Sequence, residues 1–502
     1  MKIYKLLFWS FILPFFLFSC NGWLDVRPED EIAEEDVFSS GNGFRHALNG
    51  IYYSMESGNM YGMQLTWGVV DALGQVYDYY WTSHDLRYGA PDYDWSNARF
   101  KSVIESMWKE TYNVVANCNN LIQQIEEADP EMFYSKNREK SGIWGEALAL
   151  RAFLQFDMLR LFAPAPVTNP GARKFTPYVD VYPAYVSQPK TVEECLTAVI
   201  EDLKEAKKLL WKIDSANLFH ITSAFNTPGA DIFLSRRGFR LNYWAATALL
   251  ARVYLYAQKE NEALEQASEV IEFAIEKGIF PFKDNTSNGD TKFYSDVIWG
   301  LHVIDLSKLY NVLNQPVATN PTYLCINEAE DNYFGEDLNT RNDVITSNDR
   351  RYTYWIEDMD NYHYDYRFKK YDESKSGNLM EISNTMVPMI RMSEVYYIAA
   401  EVLAKQGGEG LTKAKSYLKF VKQGRGLRTS DKSVLAVDNA SSSDAFMNVL
   451  INDMRRDWIG EGQTFYIYKR LNKDIPSDAY TGTVTASEKI FVVPLPEGET
   501  NL

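Results

Sequence analysis

Apolar positions recur along most of this chain at the three-and-four spacing of a single helix face. Trp108, Tyr112, Val115, Ile122 and Ile125 keep that spacing, as do Ala147, Leu150, Leu154, Met158 and Leu161. Val192, Leu196, Val199, Leu203, Ala206 and Leu210 alternate steps of four and three, behind Thr191 and Glu194 at the spacing of a capping box. The same periodicity predicts further helices over about 241–258, 260–277, 390–406, 410–423 and 443–459.

Two neighbouring helix pairs carry the small residues of a tetratricopeptide-type repeat. Thr247, Leu250, Ala251 and Tyr254 on one helix precede Ala263, Ala267, Val270 and Ile271 on the next. Ala399, Ala400 and Leu403 precede Ala414, Tyr417, Leu418 and Val421, across Gly407-Gly408-Glu409-Gly410. Small alanines let such helices approach closely, and pairs of this kind stack into one curved scaffold. The predicted fold class is all-α dominated: a tetratricopeptide-type helical scaffold with an irregular, loop-rich, minor-β face. Its scaffold helices fall at about 100–163, 191–212, 240–278 and 389–460. The segments between, roughly 56–97, 164–190, 213–240 and 279–388, lack helical period yet are rich in aromatics, which disordered linkers are not. Loops of this length in a compact domain are commonly functional or partner-facing. Pro164, Pro166, Pro170, Pro177, Pro183 and Pro189 predict an extended, stiff course for 164–190.

The first nineteen residues read differently. Lys2 and Lys5 are their only charges, and Leu6–Phe18 is apolar apart from Ser10 and interrupted by Pro14. A basic start, a short apolar run and a small residue before Cys20 (Leu17-Phe18-Ser19-Cys20) match a lipoprotein export signal over 1–19, with Cys20 as the lipidated first residue of a single domain over 20–502. An ordinary cleaved signal is the competing reading. Removing Lys2 and Lys5 takes the formal charge from −17 to about −19, and no Lys/Arg stripe offsets it, so nucleic acid is a disfavoured partner. Attachment to a membrane would then fall to lipid chains rather than a basic patch. Cys118, Cys195 and Cys325 remain, an odd number without C-x-x-C, and Cys118 and Cys195 read as buried small hydrophobes. His46, His84, His220, His302 and His363 form no zinc-binding spacing.

In this order the blocks resemble the SusD/RagB-like outer-membrane lipoproteins of the Bacteroidetes, from Cys20 nearly to the C-terminus. The resemblance rests on Trp23-Leu24-Asp25 with Pro28; on Trp108, Tyr112 and Ala116-Asn117; and on Gly145-Glu146-Ala147 through Leu150-Arg151-Ala152-Phe153 to Leu161-Phe162 and Pro166. Glu201-Asp202-Leu203, Arg240-Leu241 and Leu249–Tyr254 follow, then Pro388, Ile390-Arg391, Ser393-Glu394-Val395, Ala400-Glu401 and Val493–Pro496. Thr464 and Ile467 depart from the pattern where Arg and Asp are common, which puts one buried ion pair in question. The resemblance implies tetratricopeptide helices behind an irregular ligand-binding face. It also implies a surface-exposed, lipid-anchored outer-membrane protein that captures oligosaccharides for a SusC-like TonB-dependent transporter.

Sugar rings present apolar C–H faces on which aromatic rings stack, while polar neighbours take the hydroxyls. Two segments hold that mixture. Tyr77–Asn97 contributes Tyr80, Trp81, Arg87, Trp95 and Asn97 as expected ligand contacts. The second contributes Tyr294, Trp299 and Trp355, although Trp299 alternates with Val297, Ile298 and Leu301 as a buried strand would. Tyr352–Trp355 and Tyr362–Tyr366 alternate aromatic and polar residues, predicting a hairpin. Glu146 with Arg151, and Arg391 with Glu394, read as structural ion pairs rather than catalytic ones. No catalytic residue and no cofactor is expected; the acidic loop of Asp331, Glu336, Asp337 and Asp343 lacks EF-hand spacing, leaving a structural calcium as a remote alternative. Two other functions compete with glycan capture: peptide capture on the same scaffold, which the acidic balance favours mildly, and a glycan-cleaving enzyme without a local motif.

Overall fold

A computed structural model of the chain describes residues 34–78, 89–90, 92–215, 232–282, 290–314, 324–326, 333–341, 344–359, 366–373, 384–477 and 482–499. Its long helices are α1 (Gly41–Met55), α2 (Ala98–Glu127), α3 (Lys136–Phe162), α4 (Val192–Asp214), α5 (Tyr243–Tyr256), α6 (Glu260–Lys277), α7 (Met392–Gln406), α8 (Gly408–Gly424) and α9 (Ser443–Asp457). Each predicted helix is present, with ends within a few residues of the periodic pattern. Both side-chain bonds of the capping box at Thr191 and Glu194 are formed. Gly278 ends α6 at φ +62°, a left-handed conformation that glycine adopts without a Cβ penalty.

From α2 to α8 each helix packs on the next, and α9 returns to lie on α7. This is the stacked architecture the alanine positions predicted. Ala245, Ala246 and Ala251 of α5 and Ala263 and Ala267 of α6 are buried without exposure, and Trp244 stacks on Phe273 across the pair. Between α3 and α4 the approach is closer still. A Cβ on Gly145 would stand 2.8 Å from Leu210 Cγ and 3.1 Å from the Ala206 carbonyl oxygen, so only glycine fits there.

The segments without helical period supply short strands. β1 (Tyr77–Asp78), β2 (Val297–His302), β3 (Cys325–Ile326), β4 (Ile356–Asp358), β5 (Tyr366–Phe368) and β6 (Met386–Arg391) form two antiparallel sheets, one in the order β1-β3-β5-β4 and one pairing β2 with β6. The expected hairpin is offset. Arg350–Trp355 is a short helix whose Asp349 cap accepts from the Arg351 amide, and the strand that pairs with β5 begins only at Ile356. Tyr362 and Tyr364 lie outside the described residues.

Residues 56–76, expected on a partner-facing loop, are instead a buried plug. Met60, Tyr61, Leu65, Trp67, Val69, Val70 and Leu73 are all in the core. Consecutive turns satisfy its backbone, such as Leu65 N donating to Met60 O at 2.9 Å and Gly68 N to Met63 O at 2.8 Å. The plug's Asp71 accepts from Gly460 N (2.7 Å) and Gly462 N (3.0 Å), tying it to the chain's last helical region.

The expected ion pairs exist in kind but with different partners. Five positions apart on α3, Glu146 and Arg151 point in different directions. Arg151 reaches Asp202 on α4 at 2.6 Å, while Glu146 accepts from Arg237 and Arg240. Glu394 pairs with Arg252 of α5 at 2.6 Å. Arg391 turns into a buried cluster in which Arg351, Lys370, Arg391, Lys422 and Arg425 balance Asp296, Asp349, Asp453, Asp457 and Glu461. Within it Arg425 Nε lies 2.6 Å from Asp457 Oδ1, and Arg351 reaches Asp349, Asp453 and Asp457 at 2.8, 2.9 and 3.2 Å. Where the family pattern breaks, the Thr464 hydroxyl is buried without a partner among the described residues, and Arg160 bonds Asp157 and Gln463.

Burial alone would raise the Asp457 carboxyl; the charges of Arg425 and Arg351 hold it well below the usual carboxylate range. Its contribution is therefore fully present above the unfolded value of about 3.9 and is lost as pH falls below that value. Asp457→Asn should lower the unfolding free energy by about 3–5 kcal/mol in urea titrations at pH 7, because it strands two buried arginines. Lys208→Ala, which breaks an exposed pair with Glu205, should cost less than about 1 kcal/mol.

Candidate functional site

The residues expected to touch ligand fall in separate places. Tyr80, Trp81 and Arg87 lie outside the described residues, as does Cys20. Trp95 and Asn97 stand at the start of α2. Asn97 is the N-cap of α2, its side chain accepting from the Arg99 and Phe100 amides. The half-buried Trp95 stacks on Phe100 at 5.5 Å and donates from Nε1 to the Lys489 carbonyl oxygen. That bond, with Lys101–Glu497 and Val493 N to Leu161 O, straps the C-terminal segment onto α2 and α3.

Trp299 and Trp355 are corrections: both are fully buried and cannot offer a face to a sugar. Trp299 sits on β2 with its ring edge-to-face against Phe153 of α3, because β2 is covered on both sides. Trp355 closes its short helix against Phe293, donates to the Thr291 carbonyl oxygen at 2.6 Å and lies under the Lys370 ammonium. Tyr294, next to Phe293, is half-buried, and its amide donates to Asp290.

A concave site does exist elsewhere: a cleft of about 560 Å³ between α1 and residues 233–240, with His302 of β2 at its end. α1 buries Phe44, Leu48, Ile51 and Met55. Helical geometry then turns Asn42, Arg45, His46 and Asn49 outward as one polar stripe along the cleft, followed by Tyr52. The opposite wall is Phe233, Arg236, Phe239 and Arg240. Phe233 is held between two guanidinium groups, with Arg45 4.7 Å and Arg240 4.3 Å from its ring centre.

The arginines are fixed from behind. Arg45 binds Glu139 through two bonds of 2.5 and 2.9 Å. Arg240 donates to Glu146 at 3.0 Å and to Asn49 at 2.5 Å, and Tyr52 donates to Glu146 at 2.9 Å. Buried Arg237 joins Glu146 to Asp214, its Nε standing 2.7 Å from Asp214 Oδ1. Burial alone would raise Glu146; Arg237 and Arg240 hold it low, whereas burial followed by the Glu146 charge pushes the Tyr52 phenol well up. Burial and then the Arg236 charge lower the His302 imidazole. No acid is among the described residues that line the cleft.

Sequence reasoning passed over this site. Its signals were the polar stripe at 42, 45, 46 and 49 and the run Arg236-Arg237-Gly238-Phe239-Arg240, three arginines in five residues of an acidic chain. The side chains of Glu336 and Asp337, from the suspected calcium loop, are engaged by Arg456. Among the described residues no group of acids, histidines and cysteines is arranged to hold a metal ion.

Two family models match: one described as starch-binding associating with outer membrane, over residues 22–255, and the SusD family, over 282–489. A SusD-like protein of Formosa agariphila is 22% identical over 60% of this chain, which spans 52% of that relative's length. Another from the same organism is 21% identical over 94% of this chain and 91% of its own length. A crystal structure of a SusD superfamily protein from Bacteroides thetaiotaomicron superposes with a TM-score of 0.66 at 22% identity, covering 92% of this chain and 98% of that one. A putative sugar binding protein from Bacteroides vulgatus gives 0.63 at 21%, covering 92% and 96%. At these identities the structural likeness speaks to the fold.

The two tryptophans corrected above separate packing from binding. Trp299→Ala should cost about 3–5 kcal/mol of stability in chemical denaturation, the range for a buried aromatic emptied from a core. Ligand affinity per folded molecule, measured by calorimetry, should stay within about twofold.

Proposed function

The chain belongs to the SusD/RagB-like family, and on that premise we propose that it is a lipid-anchored outer-membrane protein that binds oligosaccharides and delivers them to a TonB-dependent transporter. The observation that carries this reading is the pair of family matches, which together span most of the chain on a stacked helical scaffold. The description of one matching family as starch-binding, and of one structural neighbour as a putative sugar binding protein, supports carbohydrate as the ligand class. The basic start, apolar run and Cys20 support anchoring by lipid. No helix among the described residues is long and apolar enough to cross a membrane.

The role is capture rather than catalysis, in keeping with a family of binding proteins. A rigid helical scaffold suits capture, since it presents a face whose ordering cost is met during folding rather than at binding. Tyr80, Trp81 and Arg87 remain the proposed sugar contacts, with the half-buried Trp95 and Tyr294 as further candidates.

A glycan array probed with the purified protein should return oligosaccharide hits, and Trp81→Ala should weaken the best of them about tenfold without loss of helical circular dichroism. Hits confined to a peptide library would move the reading to peptide capture. Cys20→Ala should shift the protein from the membrane fraction to the soluble fraction, with glycan affinity retained; a variant that stays in the membrane would rule out lipid attachment at Cys20.

A further inference from the structure

We propose that the cleft between α1 and residues 233–240 binds the charged group of an acidic saccharide, a sugar bearing a carboxylate or a sulfate. The inference rests on the carbohydrate-binding role proposed above and adds to it a site and a ligand class.

Glu139 and Glu146 have no exposed side-chain surface, whereas Arg45 and Arg240 keep 17% and 12% of theirs. The acids lie beneath and the guanidinium groups form the surface. The cleft therefore presents positive charge although the pairs behind it are satisfied.

Among the described residues, Arg236, Arg237 and Arg240 stand against Glu146 and Asp214, three cations to two anions. The surplus is Arg236, an exposed lining residue with no carboxylate partner among the described residues. Its charge reaches His302 across the end of the cleft. In a chain of formal charge −17, a guanidinium with no carboxylate partner among the described residues, in a cleft whose described lining holds no acid, is a local attractor for an anion.

A bare inorganic anion needs a small nest of donors, whereas about 560 Å³ is in the size range of an organic ligand site. Phe239 and Tyr52 offer ring surface for a sugar's C–H face, and Asn42 and His46 offer hydrogen bonds for its hydroxyls. One surplus cation suits one anionic substituent. A polyanion such as nucleic acid would meet the repulsion of the remaining surface.

Calorimetry on the protein purified from cells expressing the full chain tests this, using lactose, lactose 3′-sulfate, a galacturonate disaccharide and inorganic sulfate as probes. At least one acidic disaccharide should bind about tenfold tighter than lactose at low salt, with the advantage shrinking as salt rises. Arg236→Gln should remove that advantage and Arg236→Glu should reverse it, each with an unchanged melting curve, since Arg236 holds no buried partner. Equal affinity for acidic and neutral disaccharides, or an acid preference that survives both variants, overturns the site. Inorganic sulfate binding as tightly as lactose 3′-sulfate overturns the saccharide assignment. A protein that binds neutral glycans on the array but shows no Arg236-dependent preference loses this site and keeps the wider function.

Discussion

The C-terminal half of this molecule depends on a balance of charge out of reach of water. Asp453 and Asp457 lie one turn apart on α9, and Arg351 from one part of the chain and Lys422 and Arg425 from the end of α8 converge on them. A buried ion cluster adds little net stability over well-packed apolar residues, but removing one member leaves its partners charged and dry. The cluster therefore acts as a constraint on arrangement. Only one placement of α7, α8, α9 and the strands before them lets every charge find its counterpart. Apolar burial, from the alanine-lined helix contacts to the aromatic-rich plug at 56–76, supplies the driving force that this constraint directs.

The same chemistry serves a second purpose at the cleft. There the carboxylates are sunk beneath their arginines, so pairing both satisfies the buried acids and orients the guanidinium groups toward open space. Holding them by two bonds each, with Phe233 wedged between, removes rotamer freedom that a ligand would otherwise have to restrict. The two sites differ in one respect. The interior cluster closes on itself, while at the cleft Arg236 has no carboxylate partner among the described residues.

What could be read in the sequence was whatever depends on near neighbours. Helix spans, the Thr191 cap and the repeat alanines all follow from spacing within a turn or two, and the ordered family blocks carried the architecture. Burial of the loop aromatics was signalled only at Trp299, by the apolar run around it, because it is decided by partners far away. Trp299 is covered by Phe153, and Trp355 by Phe293 and Lys370, none of them near in sequence. Ion-pair partners were lost for the same reason: Glu146 looks toward Arg237 and Arg240, not toward Arg151. The cleft was missed because Asn42, Arg45, His46 and Asn49 look like any solvated helix face until the arginines near 240 fold over against them.

The bonds that tie Asp71 to Gly460 and Gly462 join residues 389 and 391 positions apart, and the C-terminal strap reaches back in the same way from Val493 to Leu161. Such contacts set an order of assembly. Helix pairs such as α5–α6 and α7–α8 can form from local sequence as soon as they emerge, but the plug's bonds to Gly460 and Gly462 wait until the last tenth of the chain is present. A chain still on the ribosome would thus hold helical fragments with an apolar plug only part-covered. The molecule becomes a finished, water-compatible surface only when its final segment arrives, so its two ends keep time for each other.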